Sequence, residues 1–225
     1  MNSKRRIKKH APKSSAGSII NRAVRLVRAN LSPDNQGAIE LLKSQHETVK
    51  TLFKRIEKAS ARAQKLKLFD ELASKLVGHD AIEREIFYPA CEAATGMTDL
   101  LGEALVEHGV VEFSLYQADQ ARQGKDFQFK CQVLSEIVEH HVHEEEHDFF
   151  PKMERALGKQ KLAELGARMQ QRFQQTQAKG DFRAPLHSNL KQVLAGALKP
   201  VKRSPSARPK KPALPSRASR RPKAA

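Results

Sequence analysis

The sequence has no tryptophan, and aromatic residues make up only 5% of its 225 residues. Apolar residues still account for 39%, so we expect an aliphatic, helical interior. There are only two cysteines, Cys91 and Cys131, and they form no C-x-x-C pair. This spacing excludes a disulfide framework and a thiolate zinc site. Both cysteines are therefore predicted to be buried side chains in a reducing compartment.

Long apolar runs are also missing. No stretch of eighteen apolar residues is present, which argues against a membrane-spanning helix. The first fifteen residues, MNSKRRIKKHAPKSS, lack the apolar segment of a secretory signal. Their acid-free, Ser- and Arg-containing composition also occurs in mitochondrial transit peptides, which remains an alternative. The sequence favours a cytoplasmic protein.

Acidic residues are nearly absent from the two ends of the chain. Residues 1–30 contain nine Lys or Arg and no acid, and residues 178–225 contain thirteen Lys or Arg and one acid, Asp181. The total net charge of +16, less the +9 and +12 of these ends, leaves −5 for residues 31–177. The charge pattern predicts a mildly acidic domain between two basic arms.

The two arms differ in what they can fold into. The N-terminal arm, residues 1–30, is predicted to carry a short amphipathic helix with Ile19 and Val27 on its apolar face. The C-terminal arm, residues 178–225, is predicted to be a disordered tail, because its last 27 residues hold six prolines and little that can pack. Such basic arms are typical of non-specific binding to nucleic acid or another polyanion.

The middle of the chain has helical periodicity and no strand alternation. Four long helices are predicted over residues 33–60, 62–93, 97–122 and 126–157. Their apolar residues recur at alternating steps of three and four, and short links join them. This pattern indicates an all-α protein, an antiparallel up-down-up-down four-helix bundle. An additional C-terminal helix is predicted over residues 159–177, giving a bundle domain that spans 31–177.

Polar residues interrupt the apolar stripes at regular intervals. His46 and His79 are 33 residues apart, as are His108 and His141, so the two helical hairpins repeat with an offset of 62. The aligned strings are HDAIEREIFYP from residue 79 and HVHEEEHDFFP from residue 141. Both read H-x-x-x-E-x-x-x-aromatic-aromatic-Pro, which places a histidine and a glutamate on one helical face.

These polar residues are predicted to bind metal, because unpaired burial would cost several kcal/mol each. Four imidazoles with two or three carboxylates exceed one tetrahedral zinc site and suit two adjacent ions bridged by Glu83 and Glu145. Nitrogen and oxygen donors without thiolate favour iron, with manganese or zinc as weaker alternatives. The candidate ligands are His46, His79, Glu83, His108, Glu112, His141 and Glu145.

A second pattern competes for the same segment. The string from His143 through Glu144 to His147 matches the H-E-x-x-H motif of zinc proteases. No third ligand follows at a suitable spacing, and the first half of the repeat has Ala81 and Glu85 at the equivalent positions. We therefore interpret His143 and His147 as solvated residues or as neighbours of the ligands.

The spacing of these histidines and glutamates, with the Phe-Tyr-Pro and Phe-Phe-Pro helix ends, resembles the hemerythrin-like domain, also called the HHE cation-binding domain. The resemblance covers residues 36–157. It implies a four-helix bundle around a non-haem di-iron centre that binds iron, dioxygen or nitric oxide, or decomposes peroxide. Oxygen-carrying members place a second histidine where this chain has Glu112, so the resemblance does not extend to reversible oxygen carriage.

Two hypotheses about function follow. The first is a di-iron protein that binds iron and meets small oxidants such as dioxygen, hydrogen peroxide or nitric oxide. Its ligands do not specify whether it is an enzyme. The alternative is a nucleic-acid or polyanion-binding protein that uses its basic arms and carries the metal domain as a sensor or iron-holding module.

Overall fold

The computed structural model describes residues 36–195, and every regular element in that range is a helix. The α-helices are α1 (Ala38–Lys58), α2 (Arg62–Ile82), α3 (Tyr88–Thr95), α4 (Thr98–Gln120), α5 (Phe127–Glu144), α6 (Phe150–Ala178) and α7 (Arg183–Leu194). Two π-helical turns, Glu83–Phe87 and Glu145–Phe149, join α2 to α3 and α5 to α6. The all-α prediction is confirmed.

Two apolar clusters fill the bundle, and a polar layer lies between them. On α1, Leu42 belongs to one cluster and Val49 to the other, with the buried His46 between them. On each of the other three helices, too, a buried histidine lies between a residue of one cluster and a residue of the other. These residues are Leu76, His79 and Ile82 on α2, Ala104, His108 and Leu115 on α4, and Val138, His141 and Phe149 on α5 and the turn after it. Because the direction alternates from helix to helix, the four histidines share one depth of an antiparallel bundle.

Both π-helical turns come immediately before a proline-containing helix start. Pro89 and Pro151 have no N–H to donate, and their rings clash with the carbonyl four residues earlier in a regular α-helix. A wider turn relieves that clash: the Tyr88 N–H bonds to the Glu83 carbonyl, and the Phe150 N–H bonds to the Glu145 carbonyl. The turns follow the same 62-residue repeat and are common at functional sites.

Helix α6 contains a kink that folds the chain back along the bundle. The kink is at Gly158, whose φ of 72° is a conformation that glycine adopts without steric cost. After it, the rest of α6 packs against α1 and α2 and buries Leu165 and Met169. A Cβ at Gly166 would collide with the backbone of Gln36. The helix predicted over 159–177 is this part of α6.

The structure corrects the predicted start of the disordered tail. Residues 183–194 form α7, which packs against α4 and buries Leu186 and Leu190, while Phe182 is buried just before it. These three residues recur every four positions and form an apolar stripe, which the basic composition of the segment obscured. The folded part of the chain therefore extends past residue 178.

The ends of the chain lie outside the described residues. The predicted N-terminal arm, residues 1–30, is among them, as are residues 196–225 of the predicted tail. The predicted start of the first helix at 33 also falls there, and α1 is described from Ala38. Across residues 36–195, no helix combines the length and apolar character needed to cross a membrane.

Candidate metal centre

Six of the seven candidate ligands meet in the polar layer, and each is at most 8% exposed. They form two groups of four, in which the potential ligand atoms lie within 4.8 Å of one another. Glu83 and Glu145 belong to both groups. Position A, the first group, adds His46 and His79, and position B, the second group, adds His108 and His141.

At position A the imidazoles point their Nε2 atoms at the shared carboxylates. His79 Nε2 lies 3.1 Å from Glu83 Oε2, and His46 Nε2 lies 3.4 Å from Glu145 Oε2. The two Nε2 atoms are 3.3 Å apart. Position A therefore collects four donor atoms around one point.

Position B repeats this arrangement in the second half of the bundle. The Nε2 atoms of His108 and His141 are 3.0 Å apart. His108 Nε2 lies 3.4 Å from Glu83 Oε2, and His141 Nε2 lies 3.6 Å from Glu145 Oε2. Each shared glutamate thus lies near one histidine of each position.

The other ring nitrogen of each of these four histidines faces a hydrogen-bond acceptor. The Nδ1 pairs are His46 with Glu146 (2.7 Å), His79 with Gln45 (2.8 Å), His108 with Asp80 (2.6 Å) and His141 with Glu107 (2.7 Å). Because these oxygens accept, each Nδ1 donates its proton and each Nε2 keeps a free lone pair. This is the tautomer that binds metal through Nε2, with the ring oriented by an outer hydrogen bond.

Glu83 shows that the layer fits a cation. Its side chain is fully buried, and neither carboxylate oxygen has a hydrogen-bond partner among the described residues. A buried carboxylate without a donor is costly, as are nitrogen lone pairs that face one another. A bound cation would relieve both costs, so the residues present fit a metal.

Burial and neighbouring charges act differently on the two shared carboxyls. Burial, together with the negative charge of Glu145, raises the pKa of Glu83 well above its usual value. Burial also opposes ionisation of Glu145, but the neighbouring imidazoles of His46, His141 and His79 together outweigh burial, so the pKa of Glu145 is lowered. The two shared carboxyls therefore differ in acidity, and Glu145 is the stronger acid of the pair.

The imidazoles at equivalent places also differ in basicity. Burial, with the charge of His46, lowers the pKa of His79 well below its usual value. Burial acts the same way on His141, but the hydrogen bond to Glu107 and the negative charges of Glu145, Glu107 and Glu144 together outweigh burial, so the pKa of His141 is raised. The two imidazoles thus differ in basicity although they occupy equivalent places of the repeat.

Tyr88 is a polar residue of the centre that the sequence reasoning did not include among the ligands. Its hydroxyl donates a hydrogen bond to Glu145 Oε1 at 3.0 Å and lies 2.8 Å from His108 Nε2. The π-helical turn brings it there, because such a turn stacks residues five apart, here Glu83 and Tyr88. The sequence signal that could have identified Tyr88 is a difference between the two halves of the repeat, because the second half has Phe150 at the equivalent place.

Glu112 is the candidate ligand that the structure does not bring into either group. Its carboxylate accepts hydrogen bonds from Asn189 Nδ2 at 2.7 Å and from Arg84 Nη2 at 3.3 Å. Burial, with the negative charge of Asp80, raises the pKa of Glu112 to about 7. The expected seventh ligand is thus held in a separate network by α7, a helix that lies in the predicted tail.

The protease-like string lies on the outside of the bundle. His143 and His147 are exposed, and their rings stack on each other with centroids 4.1 Å apart. His147 Nδ1 donates to the backbone carbonyl of His143. Neither residue joins a potential metal-binding group within residues 36–195. This geometry leaves the zinc-protease alternative without a site.

A small cavity of about 40 Å³ lies against the four histidines. Apart from these rings and two carboxylates, its wall is aliphatic, formed by Val49, Leu76, Val77, Val111, Leu115, Val138 and Val142. A buried water occupies roughly 10–15 Å³ of such space. The cavity therefore has room for a molecule of two or three atoms.

An antiparallel helical bundle with a buried layer of imidazoles and carboxylates defines a class of cation-binding helical domains. The model of the hemerythrin HHE cation binding domain matches residues 37–153, more than half of the chain. The chain belongs to this family, which confirms the resemblance inferred from the repeated motif. Helix α7 and most of α6 lie beyond the matched residues.

A solved structure shows the same fold. The chain is similar to the crystal structure of a hemerythrin HHE cation binding domain-containing protein from Mycobacterium kansasii, with 29% sequence identity and a TM-score of 0.58. The match covers 67% of this chain and 97% of that chain. No curated protein matches the chain.

Proposed function

We propose that this domain binds two iron ions, one at position A and one at position B, and that the pair meets a small oxidant such as dioxygen, hydrogen peroxide or nitric oxide. Glu83 and Glu145 belong to both donor groups, so their carboxylates would bridge two adjacent ions. Each ion would also take two imidazoles, His46 and His79 at position A or His108 and His141 at position B.

The observation that carries this proposal is the state of Glu83. Both of its oxygens lack a donor among the described residues, in a layer where four imidazole Nε2 atoms also have free lone pairs. One tetrahedral zinc ion would leave part of this donor set unused. Two ions would use all six residues and would give both oxygens of Glu83 a positively charged partner.

The chemistry of the donor set favours iron. Imidazole, carboxylate and phenol donors are present, while Cys91 and Cys131 belong to neither group. Such donors suit iron, with manganese or zinc as weaker alternatives. Tyr88 is the seventh ligand we propose, in place of Glu112, because its hydroxyl already lies 2.8 Å from His108 Nε2.

The cavity beside the histidines supports a small, weakly polar reactant. Bound iron would supply electron transfer and open coordination positions to a molecule that reaches it. The wall of the cavity is largely aliphatic, and its volume of about 40 Å³ suits a small molecule.

Metal analysis of the purified protein tests the proposal. After anaerobic loading with ferrous iron and removal of the excess, we expect about two irons per chain. His79→Ala or His141→Ala should each lose at least one iron, while His143→Ala, a change at an exposed imidazole, should keep both. Iron at background level in the wild-type protein would refute the proposal, as would a normal iron content in both ligand variants.

The alternative function rests on charge alone. Residues 199–225 carry ten Lys or Arg and no acid. A segment of this composition attracts a polyanion through counterion release. We propose this as a second, compatible role in which the basic ends tether the metal domain to nucleic acid or another polyanion. The truncation described in the Discussion tests it.

A further inference from the structure

The residues that orient the four imidazoles do not follow the symmetry of the repeat. Gln45 and Glu107 occupy equivalent places, 62 residues apart. Gln45 Oε1 accepts from His79 Nδ1 at 2.8 Å, and Glu107 Oε2 accepts from His141 Nδ1 at 2.7 Å. Equivalent imidazoles are thus held by a neutral amide at position A and by a carboxylate at position B.

The Gln45 amide is also poorly anchored. The residue is 8% exposed, and its Nε2 has no hydrogen-bond partner among the described residues. Its contact with His79 is therefore one neutral hydrogen bond. A carboxylate acceptor makes an imidazole a stronger metal donor and fixes its orientation more firmly than an amide does.

The second pair of acceptors is unequal as well. Glu146 holds His46 at position A, and its side chain is 28% exposed. The residue equivalent to Glu146 is Arg84, whose Nε donates to Asp80 Oδ1 at 2.5 Å. Asp80 is the acceptor for His108 at position B, and its side chain is 11% exposed. Water competes more strongly for Glu146 than for Asp80.

Helix α7 adds to the difference. Asn189 Nδ2 donates to Asp80 Oδ2 at 3.3 Å and to Glu112 Oε1 at 2.7 Å. Glu112 in turn accepts from Arg84 at 3.3 Å. The Asp80 carboxylate is thus fixed by three donors, Arg84 in the π-helical turn, His108 on α4 and Asn189 on α7. Within residues 36–195, Glu146 has a single hydrogen bond, the one to His46.

We infer that the two metal positions are unequal, with the ion at position B held more tightly and the ion at position A loaded last and released first. The inference rests on the proposed function, because it requires two bound ions. Gln45 and Glu107 are the positioning residues that set the difference, and neither belongs to the two donor groups. The domain would then hold one resident ion and one exchangeable ion.

The test exchanges the two acceptors by isosteric changes in opposite directions. The wild-type protein, Gln45→Glu and Glu107→Gln are loaded anaerobically with ferrous iron and then mixed with an excess of a chelator that colours on binding it. We expect two release phases of equal amplitude in the wild type. Gln45→Glu should slow the fast phase about tenfold or more, and Glu107→Gln should speed the slow phase by a similar factor.

Three further variants assign the phases and control for the substitutions. His79→Ala should lack the fast phase, and His141→Ala should lack the slow one. Glu136→Gln is the matched carboxylate-to-amide control, because Glu136 is exposed on α5 and, within residues 36–195, its side chain accepts a hydrogen bond from Gln132 alone. It should release iron as the wild type does. Helicity, measured by circular dichroism, checks that each variant folds.

The outcomes separate this inference from the proposed function. If the wild type binds about two irons but releases them in one phase, or if Glu107→Gln folds and leaves the slow phase unchanged, the positions are equal and the inference is wrong. Faster release from position B than from position A would also overturn it. If the wild type binds no iron under these conditions, the proposed function itself fails.

Discussion

Tyr88 and Phe150 occupy equivalent places in the two halves of the bundle but make different contacts. The Tyr88 hydroxyl lies 2.8 Å from His108 Nε2, whereas the Phe150 ring stacks on the His46 ring with centroids 5.8 Å apart. A phenol therefore reaches one metal position, and only a hydrocarbon ring reaches the other. This contact adds to the difference between positions A and B.

The first prediction concerns this phenol. Iron-loaded, oxidised wild-type protein should absorb visible light through phenolate-to-iron charge transfer, since Tyr88 lies beside the proposed ligands of position B. Tyr88→Phe should lose that band and keep at least one iron, because the other six ligands remain. Tyr116→Phe is the matched control, since the Tyr116 ring packs near His187, outside both donor groups. An unchanged visible spectrum in Tyr88→Phe would contradict the proposed ligand.

The second prediction concerns the stability of the metal-free protein. The pKa of Glu83 is raised by burial and by Glu145 from the ordinary value of 4.5, so the folded protein binds a proton there more tightly than the unfolded chain does. The free energy of unfolding should therefore fall as the pH rises above 4.5. Glu83→Gln should remove this contribution and stabilise the metal-free protein at pH 8 by about 1–3 kcal/mol.

The same substitution should weaken metal binding, because an amide is a poor bridging ligand. Denaturant unfolding at several pH values, with and without iron, measures both effects. Glu47→Gln is the control, since the Glu47 side chain is 74% exposed. If Glu83→Gln and the wild type have the same metal-free stability at every pH, burial of the Glu83 carboxylate without a hydrogen-bond donor does not destabilise the protein.

The third prediction tests the docking of α7. Leu186 is fully buried and belongs to the apolar cluster that includes Leu72 of α2 and Leu115 of α4, so Leu186→Ala should lower the free energy of unfolding by about 2–5 kcal/mol. Leu194→Ala, on the same helix, should change it little because Leu194 is 73% exposed. Thermal unfolding measures both. Equal melting temperatures for the two variants would show that α7 does not contribute to the core.

The fourth prediction concerns the basic C-terminal segment. Deleting residues 199–225 removes ten basic residues and no acid, so the net charge falls from +16 to +6. Iron content and helicity should not change, because the deletion starts after α7 ends at Leu194. Affinity for duplex DNA should fall sharply, and the slope of its salt dependence should decrease by about 0.9 for each phosphate that the segment neutralises. Equal DNA binding by both proteins at low salt would exclude the tethering role.

The bundle and most of its polar layer follow from local periodicity. Helical spacing is a property of consecutive residues, so the 62-residue repeat was enough to align His46, His79, His108 and His141 at one depth. The i, i+4 spacing also placed Glu83 and Glu145 beside two of them. The helix boundaries were less predictable, because the effect of a proline depends on how the backbone around it adjusts.

Three features depended on contacts that no local pattern contains, and two of them concern the predicted tail. Glu112 turned away from the centre because Arg84 and Asn189, distant in sequence, compete for its carboxylate. Helix α7 formed in a basic segment because the bundle offered an apolar surface for Leu186 and Leu190. Composition alone does not reveal such a surface. The third feature is the orientation of the donors.

The sequence by itself determined which imidazoles and carboxylates would be buried together, because burial follows the apolar stripe of each helix. Only the tertiary structure decided how each donor is oriented and supported. The π-helical turn brought Tyr88 to His108, and long-range packing gave His79 an amide acceptor but His141 a carboxylate. Periodicity sets the face on which a side chain lies, whereas the direction of its polar atoms depends on partners that folding brings from elsewhere in the chain.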